Sequence, residues 1–75
     1  MKKSKSDEFW YNVAALIRDS RIAEGLTQLQ LAEKAEITQQ YVSKLENSLK
    51  NSGVSVRILK KIASVLNKKL EIVFI

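Results

Sequence analysis

The chain has 75 residues, 45% of them hydrophobic and 28% charged, the composition of one small globular domain rather than a disordered segment. It contains no Cys and no His, which excludes disulfides and thiol or imidazole catalysis and leaves no expected metal site or cofactor. The net charge of +5, from 13 basic and 8 acidic residues, suits either a solubilising surface or a polyanionic partner.

No apolar run approaches the ~20 residues that span a bilayer, and the opening lysines lead into Asp7 and Glu8. The expectation is therefore a soluble, cytoplasmic, non-enzymatic protein. In chain order, residues 1–5 form a basic arm with Lys2, Lys3 and Lys5. Ser6 is placed to cap a first helix, whose opening Asp7 and Glu8 suit the positive end of the helix dipole. Phe9, Val13, Leu16 and Ile17 repeat at helical spacing and predict its core stripe, with Trp10 beside it. Gly25 supplies a left-handed stop.

Thr27 and Gln30 have the spacing of a capping box and open a second helix, with Leu31 and Ala35 facing inward. Thr38 caps a third helix, QQYVSKLEN, in which Val42 and Leu45 point to the core. The short link around Glu36 and Ile37 makes this pair a helix-turn-helix shape. After a loop containing Gly53, Ser55 caps a fourth helix that repeats Val56, Leu59, Ile62, Ala63 and Leu66. Asn67 enters left-handed backbone readily and ends it.

The closing LEIVFI is β-branched and aromatic, and reads as a strand with no partner in its own chain. Unpaired backbone on so apolar an edge favours a two-stranded ribbon with a second copy through Leu70, Glu71, Ile72, Val73, Phe74 and Ile75. The competing reading packs this tail irregularly on the fourth helix.

Residues 25–47, GLTQLQLAEKAEITQQYVSKLEN, resemble the helix-turn-helix of the Cro and phage-repressor group, also called the xenobiotic-response-element family. The likeness runs on through ILKKIASVLNKKLEIVFI and covers most of residues 9–75. It implies an all-α, lambda-repressor-like bundle of about four helices spanning 6–67, with residues 68–75 forming a short intersubunit β-strand. The strand ending is similar to antitoxin repressors of the HipB and HigA type.

With that fold, the third helix enters the major groove of duplex DNA and the second lays its N-terminus on the backbone. Base contacts then fall to Gln39, Gln40, Ser43 and Lys44. A glutamine amide pairs bidentately with adenine, and lysine reaches guanine or, as readily, a phosphate. Phosphate contacts fall to Arg21, Thr27, Gln28, Thr38, Tyr41, Asn47 and Lys50, with Tyr41 equally suited to packing. The resemblance also matches Arg21 and Glu46 to a structural ion pair that links helix ends. The implied protein is a homodimeric repressor on a near-palindromic operator, with a cognate toxin as a further partner and no membrane. A protein-binding antitoxin or adaptor is the alternative.

Three positions depart from the family pattern. Glu36 stands where glycine is usual in the turn, Ser48 where glycine often ends the third helix, and Val54 where proline precedes the fourth. Left-handed backbone at Glu36 costs about 1–2 kcal/mol, so a strained or reshaped turn is expected.

Overall fold

The computed structural model describes residues 5–47 and 54–71, with side chains from Glu8 onward. Four helices occupy them: α1 (Lys5–Ala23), α2 (Gln28–Ala35), α3 (Gln39–Asn47) and α4 (Val56–Val65). The loop expected over residues 48–53, Lys50 within it, and Ile72, Val73, Phe74 and Ile75 of the expected strand lie outside the described residues. Leu70 and Glu71, at the start of that segment, are irregular chain.

Local chemistry explains the boundaries. Thr27 accepts from the Gln30 amide at 3.0 Å, and the Gln30 side chain accepts from the Thr27 amide at 2.9 Å, a complete capping box. The Thr38 hydroxyl accepts from the Tyr41 amide at 3.1 Å and Ser55 from the Ile58 amide at 3.2 Å. α1 begins at Lys5, so Ser6 lies inside the helix and not at its cap.

Three helices end the same way. Gly25, Glu36 and Asn67 have φ of 71°, 59° and 58°. The next amide in each case bonds back into the helix, Leu26 to Arg21, Ile37 to Ala32 and Lys68 to Ala63, at 2.8–3.0 Å. That is the Schellman pattern, which satisfies carbonyls a helix end leaves open. Glu36 therefore adopts the left-handed turn of a glycine without being one.

α2 packs on α3 and α4, and α3 also packs on α1. Leu31, Val42, Leu45 and Ile62 are fully buried at the centre, with Ala14, Ile17, Ala32, Ala35 and Leu66 around them. Burying each large side chain is worth about 1.5–3 kcal/mol. The alanines let backbones approach closely, which is how such short helices share one core.

The expected core stripe of α1 is corrected. Ile17 is buried and Val13 half-buried, but Phe9 is 56% and Leu16 62% exposed. The inward face is instead Ala14, Ile17 and Ser20. α1 is apolar around more than one face, and the face it buries carries Ala14 and Ser20 with Ile17 as its one large side chain. No helix among the described residues is long and apolar enough to cross a membrane.

Candidate nucleic-acid interface

The outward side of α3 is polar by the same periodicity that buries Val42 and Leu45 on its inward side. Gln40, Ser43, Lys44 and Asn47 recur at i, i+3, i+4 and i+7 and so stand along one face. Together with Thr38 and Tyr41 they line a shallow concavity of about 480 Å³. Gln40, Lys44 and Asn47 are exposed, while Ser43 and Tyr41 are half-buried. Tyr41 packs against the core and also lines the concavity. Gln39 is exposed at the first turn of α3 but is not among the lining residues.

Among the described residues that line this concavity, Lys44 is the charged side chain and none is a carboxylate. The nearby Glu46 points the other way, into the protein, with 3% of its side chain exposed. There it meets Arg21, whose side chain is 13% exposed. Arg21 Nε donates to Glu46 Oε2 at 2.6 Å and Nη2 donates to Oε1 at 3.1 Å, the bidentate geometry that suits guanidinium and carboxylate. Arg21 Nη1 also donates to the Leu26 carbonyl at 2.7 Å.

The same carboxylate holds a third element. Gln28 Nε2 donates to Glu46 Oε1 at 3.2 Å. One buried carboxylate thus ties the end of α1, the start of α2 and the end of α3 together. Charged groups cost several kcal/mol to desolvate, and pairing plus three donated hydrogen bonds offset that cost. Arg21, expected at phosphate, has three of its nitrogens bound inside this cluster. Gln28 keeps its amide oxygen and one N–H outside the cluster, at the N-terminus of α2.

Thr27 and Thr38 are exposed caps, each hydroxyl already accepting from a backbone amide. A hydroxyl that accepts in this way still has a hydrogen to donate. Sequence reasoning missed the link from Gln28 to Glu46, since two neutral and charged polar residues 18 positions apart carry no local signal. It also missed the buried Ser20.

A family model described as helix-turn-helix matches residues 17–73. The chain belongs to the Cro/C1-type helix-turn-helix family. As a member of this family it is a DNA-binding transcriptional regulator. Solved structures agree on the fold. The restriction-modification controller protein C.Esp1396I, as its S52A mutant, is similar at 26% identity and a TM-score of 0.75, over 83% of this chain and 78% of that one. SinR, a master regulator for biofilm formation solved in complex with DNA, matches at 30% identity and 0.69, over 76% and 89%. The clp gene regulator ClgR from Corynebacterium glutamicum matches at 29% and 0.71, over 79% and 61%. No curated protein sequence gives a significant match.

Proposed function

We infer that this family member is a sequence-specific repressor that reads its operator with α3 and works as a dimer. The observation that carries the reading is the polar row Gln40, Ser43, Lys44 and Asn47 on the free face of α3, with the N-terminus of α2 fixed beside it through Gln28 and Glu46. Gln39 and Gln40 supply donor and acceptor to adenine, Ser43 a hydroxyl, and Lys44 a cation for guanine or phosphate. Thr27 and Gln28 at the start of α2, with Thr38, Tyr41 and Asn47, meet phosphates. Arg21 acts by fixing Glu46 and Gln28.

A two-fold dimer places two such helices about 34–36 Å apart, one turn of duplex, and so calls for a near-palindromic operator. The domain measures 35 × 26 × 22 Å, a size at which two adjoining copies can be arranged to that spacing. Occupying the operator blocks polymerase sterically and needs no cofactor. The toxin-holding role expected from the sequence draws on the strand-like C-terminal ending, most of which lies outside the described residues, and on the small size of the chain.

Selecting bound duplexes from a random pool, followed by gel shifts over a salt series, tests this. The expected outcome is an enriched inverted repeat and an affinity that falls steeply with salt as phosphate contacts release counterions. Failure to enrich any sequence, or an affinity indifferent to salt, overturns it.

A further inference from the structure

Most of the positive charge lies outside the helix-turn-helix. Residues 8–47, which hold α2 and α3, carry four basic and six acidic side chains, whereas residues 54–71 carry five basic and one acidic. The cations of the first stretch are largely committed. Arg21 is locked to Glu46 at 2.6 Å, and Arg18 lies 3.3 Å from Asp19. Lys34 stands between Glu33 and Glu36 in the sequence, which leaves Lys44 as the uncommitted cation among the described residues of that stretch. One lysine is little attraction for a duplex that carries a negative charge about every 1.7 Å.

α4 supplies more. Its inward side buries Ile62 and Leu66, and the opposite side carries Arg57, Lys60, Lys61 and Ser64, all exposed. Helical periodicity puts these four within about 100° of arc and about 10 Å of length, the span of about three successive phosphates on one strand. Arg57, Lys60 and Lys61 make no ion pair among the described residues. At the other end of α4 the Glu24 carboxylate accepts from Asn67 at 2.8 Å, and Glu71 sits 3.5 Å from Lys69.

A solubilising surface does not explain where these cations stand. All three fall in the first six residues of a ten-residue helix whose first turn holds no acid, toward the positive end of its dipole. Arg57 and Lys61 are also one turn apart, where like charges repel. Both arrangements cost stability in the free protein, and both turn favourable once an anion sits on the face. An anionic membrane fits less well, because a helix lying on lipid turns its apolar side to it, and here that side is in the core. α4 packs on α2, and none of its residues lines the concavity along α3.

We propose that Arg57, Lys60 and Lys61, with the Ser64 hydroxyl among them, form a second DNA surface that holds the phosphate backbone of a duplex without regard to sequence. This rests on membership of a DNA-binding family and not on which side chains read the bases.

Fluorescence anisotropy of the full-length chain on a labelled duplex of arbitrary sequence, over a salt series, tests it. One variant carries Arg57→Gln, Lys60→Gln and Lys61→Gln. The control carries Arg18→Gln, Lys34→Gln and Lys69→Gln, the same loss of charge from cations with acidic neighbours. All six side chains are exposed, and far-UV circular dichroism checks that both proteins stay helical. In the α4 variant the slope of log K against log salt becomes shallower by about 2–3, and Kd at low salt rises at least about tenfold. The control stays within about 1 of the wild-type slope. An α4 variant with the wild-type slope overturns the proposal, as does a control that loses as much, since net charge alone then accounts for binding. So does a wild type that binds phosphatidylglycerol vesicles and no duplex. Selection from a random pool keeps the two readings apart. If no sequence is enriched while the α4 variant still loses arbitrary duplex, the reading helix is refuted and the α4 surface stands.

Discussion

Removing the Glu46 carboxylate is the most informative perturbation of this fold. Glu46→Ala strands three donors at once, Arg21 Nε and Nη2 and Gln28 Nε2, and leaves a guanidinium that is 13% exposed without its counterion. Breaking a buried pair from one side costs about 3–5 kcal/mol. At ~0.05–0.15 kcal/mol per residue, the whole domain holds only about 4–11 kcal/mol. The substitution therefore removes about a quarter or more of the stability, and at about 4–8 °C per kcal/mol lowers Tm by at least about 12 °C. Urea titrations followed by Trp10 fluorescence and circular dichroism, at fixed protein concentration because the proposed dimer would add to apparent stability, measure it. The pair Arg21→Met with Glu46→Leu removes both charges and recovers most of the loss. A Glu46→Ala cost below about 1 kcal/mol, the worth of an exposed pair, refutes the reasoning. So does a double variant as unstable as the sum of its parts.

Other substitutions probe separate links. Glu36→Gly relieves left-handed strain at an exposed residue and raises stability by about 0.5–1 kcal/mol, net of glycine's extra freedom when unfolded, readable as a higher urea midpoint. Thr27→Ala removes one half of the α2 capping box and costs about 1 kcal/mol in the same titration. Gln40→Ala weakens binding to the selected operator by the equivalent of about 1–3 kcal/mol and relaxes preference at one base pair, measured by competition gel shifts. Lys44→Ala separates two roles: lost preference at one base pair marks base reading, whereas a salt slope shallower by about 1 with preference unchanged marks phosphate contact.

The sequence is most transparent where structure is decided within four or five residues. Thr27 with Gln30, Thr38, Ser55, Gly25 and Asn67 all stand where a cap or a left-handed stop is used, because those bonds close locally. The inward faces of α2 and α3 are equally plain, since each carries one apolar side. α1 is different. It has apolar residues on two sides, and periodicity alone cannot say which meets the core. Side-chain size then misleads, because the small Ala14 is buried in the core while Phe9 and Leu16 line an open groove between α1 and α4. The Glu36 turn shows the reverse case: the strained residue is visible in the sequence, but the turn keeps its left-handed shape regardless, with the Glu36 and Ile37 amides bonded back into α2.

The buried carboxylate also bears on how the protein opens. α2 has 8 residues and α3 has 9, both shorter than the ~12–15 at which an isolated helix becomes even marginal in water. Neither persists alone, and Glu46 fastens both to the end of α1. Their amides therefore exchange with solvent only when this whole junction comes apart, as one unit of hydrogen-exchange protection. Under the proposed function, a reading helix fastened in this way meets its target already ordered, so little conformational entropy remains to be lost on contact.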